Sequence, residues 1–215
     1  MNPATIITST TMTFISSICL PAASELGLMI RDKMTEFRAK NLQNILKRCS
    51  GYIKYENGEL QCDPRLMINI IEKASLCSDE LMQDMWARLL ASSCSNNSND
   101  TNLIYVHILD QITACEANIL NFICSDNEIV NDKDGTRVIS TQKEYPLSEL
   151  IERGHFQNFQ DMEQQLDHMI SLGLIPIAIA VDGGEYGKVE EKTKTMYLSF
   201  TPIGVAIYEK CIKER

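Results

Sequence analysis

The chain has 215 residues, 44% hydrophobic and 23% charged, enough for one large core or two small ones, which excludes a disordered polymer and a membrane-embedded protein. Twenty basic residues face 29 acidic ones, a net charge of −9 that repels phosphate backbones and anionic lipid and argues against a general nucleic-acid coat protein.

The first basic residue is Arg31, so the charged start of a secretory signal is missing. The mildly apolar stretch from Phe14 to Ile30 is interrupted by Pro21 and Glu25 and falls short of the roughly 20 apolar residues of a spanning helix. Residues 1–21 are read as a poorly defined segment that leaves room for peripheral membrane contact. Eight cysteines (Cys19, Cys49, Cys62, Cys77, Cys94, Cys115, Cys124 and Cys211) are spread along the chain with no CxxC pair and no histidine at zinc spacing, the usage of reduced core thiols in a cytoplasmic protein. The glycosylation sequons at Asn96 and Asn99 carry no meaning without secretion.

A long helix is expected from Ala22 to Cys49, where Leu26, Ile30, Met34, Phe37, Leu42, Ile45 and Cys49 recur near the helical period, with Gly51 breaking it. Between Ala23 and Lys54 seven basic residues stand against three acidic ones, a local surplus of four positive charges in an acidic protein. Arg31 and Arg38, and Lys33, Lys40 and Lys47, recur at seven-residue intervals as two ridges flanking the apolar stripe. A solvated face, helped by a Glu36 to Lys40 pair, explains them without function. The functional reading makes these five residues a binding surface for an anionic partner, phosphate or acidic protein.

Asp63 as N-cap and Pro64 at the first helical position open a second helix, with Leu66, Met67, Ile70, Ile71 and Ala74 on one face. Ser78 is expected to start a third, with Asp79 and Glu80 in its first turn and Leu81, Met82, Met85, Trp86, Leu89 and Leu90 along it. Trp86, the one tryptophan, is expected in the core. Residues 22–94 thus form an all-helical unit. The run SNNSNDTN from Ser95 to Asn102 has no periodicity, and residues 95–104 are expected as a polar linker.

Residues 105–215 have a different grammar. After a short helical turn through Tyr105, Ile108 and Leu109, a capping box at Thr113 and Glu116 opens a helix with Ala117, Ile119, Leu120 and Ile123. A polar connection follows. Pro146 starts a short helix with Leu147, Leu150 and Ile151, and Asp161 to Leu172 forms another with Met162, Leu166, Met169 and Ile170, closed by Gly173. Ile175, Ile177, Ile179 and Val181 alternate, Gly183-Gly184 turns, and Met196, Leu198 and Phe200 alternate again, the pattern of a two-stranded β-hairpin with a charged tip. Thr201-Pro202 caps a last helix with Ile203, Ile207 and Cys211. The fold class is mainly α (α+β): an N-terminal helical unit, then a winged-helix-like unit.

In such a unit the helix from Asp161 to Leu172 faces the major groove, yet it carries Asp161, Glu163 and Asp167 and no Lys or Arg. The tip from Asp182 to Thr195 has four acidic and three basic residues. Nucleic-acid binding is therefore disfavoured, although Gln164, Gln165 and His168 have the chemistry for base contacts. Nothing orients His107 and Cys115 as base and nucleophile, His155 and His168 lack a third metal ligand, no serine sits in a GxSxG elbow, and neither Gly27 nor Gly183-Gly184 belongs to a phosphate-binding loop. No catalytic residue, metal ligand or cofactor is therefore assigned, and an enzyme is not expected.

Several blocks carry a family resemblance: Ser24-Glu25-Leu26-Gly27 with Asp32-Lys33, then Phe37-Arg38-Ala39-Lys40-Asn41-Leu42, and above all Ala74-Ser75-Leu76 followed by the run from Asp79 through Trp86 to Ser92. Glu116-Ala117 to Leu120, Leu172 to Ile175 and Leu198 to Gly204 continue it toward Cys211. The chain resembles the abortive-infection alpha family over roughly Ala22 to Cys211. It departs from the family at Ile108, where members tend to place a proline after the histidine matching His107. The resemblance implies a bacterial, cytoplasmic protein of phage defence with no established catalytic residues. The leading expectation is a non-enzymatic interaction protein that binds a partner, most simply another protein. The alternative is a winged-helix DNA-binding transcription regulator whose basic first helix supplies phosphate contacts. An unrecognised hydrolase or nuclease is the third reading.

Overall fold

A computed structural model describes residues 36–53, 62–94, 101–139, 143–176 and 195–213. The described chain is mainly helical, with two small antiparallel sheets, and it divides into two compact units between Gln111 and Ile112.

The first unit contains α1 (Glu36–Tyr52), α2 (Pro64–Ala74), α3 (Glu80–Ser93) and α4 (Thr101–Gln111). The expected first helix before Glu36 lies outside the described residues. At its other end α1 runs through Gly51 to Tyr52 rather than stopping at Cys49. Gly51 is exposed, so its unfavourable helix propensity, about 1 kcal/mol, is borne in a final turn where Ile53 still donates to the Cys49 carbonyl. Asp63 caps α2 as expected, its carboxylate accepting from the Arg65 and Leu66 amides, with Pro64 at the first position where no amide is needed. The cap of α3 is Asp79, one residue later than expected, and its side chain accepts from the Met82 amide.

α1 lies chiefly against α3, and α4 packs on α2 and α3. Leu42, Ile45, Cys49, Met67, Ile70, Met85, Leu89 and Leu90 fill the centre of this unit, and Trp86, 2% exposed, sits among the fully buried side chains. The stretch expected as a linker is described only from Thr101 on, and there it is already helix. The polar start of α4 carries Asn102, which is fully buried and donates to Ser93 Oγ at 2.9 Å. Thr101 and Asn102 are thus helical, with the Asn102 side-chain nitrogen bonded inside the unit.

The second unit runs α5 (Ala114–Asp126), β1 (Ile129–Asn131), β2 (Arg137–Ile139), β3 (Glu144–Pro146), α6 (Leu147–Gly154), α7 (Phe159–Ser171), β4 (Thr195–Tyr197) and α8 (Pro202–Cys211). The connection after α5 is not irregular. β1 and β2 form an antiparallel hairpin in the register Ile129 to Ile139, Val130 to Val138 and Asn131 to Arg137, turning at Gly135 with φ 77°. Arg137 grips Glu209 of α8 with both Nε and Nη2, which explains why so short a hairpin holds its place.

β4 pairs with β3, aligning Tyr145 with Met196, both buried. The expected partner arm, Ile177 to Val181, and the tip from Asp182 to Lys194 lie outside the described residues. Ile175 is buried without being in a strand, following the turn in which Gly173 (φ 71°) closes α7. α7 begins two residues earlier than expected, where Asn158 accepts from the Asp161 amide. Thr201 caps α8 and also reaches back, its Oγ1 donating to the Gly173 carbonyl at 2.6 Å, so the end of α7 and the start of α8 are one junction.

Candidate functional site

The five basic residues singled out on the first helix divide sharply. Arg31 and Lys33 lie outside the described residues. Arg38 is half-buried and engaged: Nε donates to Ser75 Oγ at 2.9 Å and Nη2 to the Glu72 carbonyl at 3.1 Å. Both acceptors lie at the carbonyl end of α2, where the helix dipole favours a cation, so Arg38 ties α1 to α2. Lys40 and Lys47 are exposed. With exposed Asn44 they sit at i, i+4 and i+7, one solvent-facing stripe, while Leu42, Ile45, Leu46 and Cys49 point inward.

Two amides on the inner side of that junction had no sequence signal beyond being polar within apolar stripes. Asn41, 4% exposed, donates to the Ser75 carbonyl at 3.1 Å, and Gln83, 2% exposed, donates to the Cys77 carbonyl at 3.0 Å and to Asn41 Oδ1 at 3.4 Å. Together they satisfy the backbone of the bend between α2 and α3.

A third cluster centres on Asp84 of α3. Tyr52 donates to its Oδ1 at 2.5 Å, Arg88 Nε donates to Oδ2 at 2.8 Å, and Arg48 stands at 3.7 Å. Arg88 also covers the Tyr52 ring, 4.1 Å from its centre. Burial and the Asp84 hydrogen bond raise the Tyr52 phenol above its ordinary pKa. Arg48 is thus turned toward Asp84, whereas its neighbour Lys47 faces solvent.

In the second unit Gln165 and His168 of α7 bond to residues at the start of α5. Glu116, fully buried on α5, closes its capping box by accepting from the Thr113 amide at 2.8 Å, and its other oxygen meets His168 Nδ1 at 2.7 Å. Thr113 Oγ1 donates to Gln165 Oε1 at 2.5 Å, and Gln165 Nε2 donates to Asp161 Oδ1 at 3.2 Å. Two of the three side chains with the chemistry for base contacts thus hold α7 to α5. Gln164 remains exposed, beside exposed Glu163 and Asp167.

His107 is exposed and within 2.7 Å of Gln111 Nε2. Cys115 donates to the His155 carbonyl at 3.5 Å, and His155 is the residue in left-handed conformation (φ 56°) that ends α6. Among the described residues no three His, Cys, Asp or Glu side chains are grouped so as to hold a metal ion. No helix among them is long and apolar enough to cross a membrane.

The first unit thus presents the exposed Lys40 and Lys47 on α1, and the second, taken by itself, presents the exposed Glu163 and Asp167 on α7. No curated protein and no solved structure matches the chain. The family comparison matches residues 33–211, from just before α1 to the end of α8, to a family described as abortive infection alpha. The chain belongs to the abortive infection alpha family.

Proposed function

We propose that this protein acts in phage defence by abortive infection as a non-enzymatic, cytoplasmic binding protein whose partner is another protein. Family membership supports the defence role. The observation that carries the binding mode is the arrangement of α7: Gln165 and His168 are spent on α5, and the outward side chains include Glu163 and Asp167. That face opposes a polyanion and suits a basic protein surface. Lys40 and Lys47 on α1 suit an acidic one.

Challenging a host that expresses the gene with its native neighbours, using a panel of phages, tests the defence role. Reduced plaquing with growth arrest is expected; unchanged plaquing across the panel overturns it. Titrating duplex DNA against the purified protein at low and physiological salt tests the binding mode. No binding at either salt is the expected result. The second reading, a winged-helix transcription regulator, draws on the order α5, β1, β2, β3, α6, α7, β4, in which two helices separate the paired strands β3 and β4. Binding that weakens steeply with salt would establish it in place of the first.

A further inference from the structure

Two helix faces, one in each unit, carry the same pattern with charges of opposite sign. The exposed side chains of α1 include Phe37, Lys40 and Lys47, and those of α7 include Phe159, Glu163 and Asp167. Phe37 and Phe159 are large apolar side chains left exposed, at 54% and 36%. Each stands in the first turn of its helix and is followed along it by two like charges. An exposed ring with a charged flank has the make-up of a contact site, an aromatic anchor beside a polar rim.

Helix geometry fixes the spacings. At about 1.5 Å per residue, Lys40 and Lys47 lie about 4.5 and 15 Å along the axis from Phe37, and Glu163 and Asp167 about 6 and 12 Å from Phe159. The mismatches, about 1.5 and 3 Å, are within the reach of a long, flexible lysine side chain. At about 100° per residue the lysines sit about 60° and 80° to one rotational side of Phe37, and the carboxylates about 40° and 80° to the other rotational side of Phe159. When two parallel helices face each other, opposite rotational sides fall together, as they do for the flanking charges of a parallel coiled coil. Laying Phe37 on Phe159 with the two helices parallel therefore brings both lysines beside both carboxylates. Antiparallel helices with the same two rings in contact would place the charges on opposite sides.

We infer that the protein self-associates, α1 of one copy docking on α7 of a second copy. The inference rests on the reading of the chain as a protein that binds protein, and it names the partner. The two surfaces differ, so the contact is heterologous and leaves one surface of each copy for a further contact. Solvent-exposed ion pairs add more orientation than affinity, so the association is weak and falls as salt screens them.

Sedimentation velocity of the full chain over a wide concentration range, at low and at high salt, tests this. A mean mass that rises with concentration at low salt and returns to that of one chain at high salt is expected. K40E/K47E and E163K/D167K, with circular dichroism unchanged because all four side chains are exposed, should each stay single chains. Mixing these two variants should restore association, because each supplies the charge the other has lost. A parent that stays a single chain at low salt, variants that associate as well as the parent, or a mixture that fails to recover would each overturn the inference. The phage challenge reads the defence role separately: a protein that protects its host yet stays a single chain overturns the second copy as partner and leaves the defence role standing.

Discussion

Replacing Glu116 with alanine removes one buried carboxylate that serves two helices. Its Oε2 satisfies the Thr113 amide at the N-terminus of α5 and its Oε1 meets His168 on α7. Losing the capping interaction costs about 1 kcal/mol. Losing a hydrogen bond to a charged group costs about 1.5–3 kcal/mol when its partner stays buried. The His168 side chain is 39% exposed and regains water, which puts that second contribution at the lower end. The sum is about 2–3 kcal/mol. Glu116→Gln keeps a carbonyl oxygen for one of the two donors and should lose about half as much. Urea denaturation followed by far-UV circular dichroism measures the difference, and amide hydrogen exchange places it in α5 and α7. E116A within about 0.5 kcal/mol of the parent, or E116Q as damaging as E116A, would refute the assignment of Glu116 as the bridge between the helices.

Gly154→Ala is expected to destabilise by about 1–3 kcal/mol in the same urea experiment, because an added Cβ would stand 2.2 Å from Cε2 of Phe156, a ring only 6% exposed with little room to move. Tyr145→Phe removes a hydroxyl that donates to Asp126 Oδ2 at 2.9 Å and accepts from Asn127 at 2.8 Å, so about 1–2 kcal/mol should be lost near neutral pH. Burial, then the bond to Asp126, raises the Tyr145 phenol to about 12 against an unfolded value near 10. Its contribution is therefore complete below pH of about 10 and lost as pH rises toward 12; a stability profile of Y145F should lack that alkaline decline. Lys40→Glu combined with Lys47→Glu should change urea stability by less than about 0.5 kcal/mol, since both are solvent-facing, while abolishing phage protection; full protection by the double variant would remove the α1 stripe from the function.

The helix starts were legible because their signals are local. Asp63-Pro64, the Thr113 to Glu116 box and Thr201-Pro202 all make the bonds their spacing announces, within three residues of one another. The role of Arg38 was not legible, since its acceptors are 34 and 37 residues away and depend on where α2 ends. Periodicity marked Arg38 as one of a cationic ridge and had no means of separating it from Lys40. Three-residue strands defeat a period-two reading: β1 and β2 offer too few alternations, and their hairpin is held by Arg137 on Glu209, 72 residues distant. Gln165 and His168 illustrate the same limit at the candidate site, because only the packing of α7 on α5 decides whether such residues face solvent or a neighbouring helix.

The pairing of β3 with β4 has a bearing on the order in which the chain is made. Glu144 and its neighbour Thr195 are 51 residues apart, and translation at roughly 5–20 residues per second delivers the second strand some 3–10 s after the first. Through that interval β3 presents an open edge, with Tyr145 on it, while α6 and α7 have already been synthesised. A newborn chain therefore carries, for seconds, a strand edge that a second newborn chain can occupy, and chains emerging side by side on one message are the ones best placed to exchange β4.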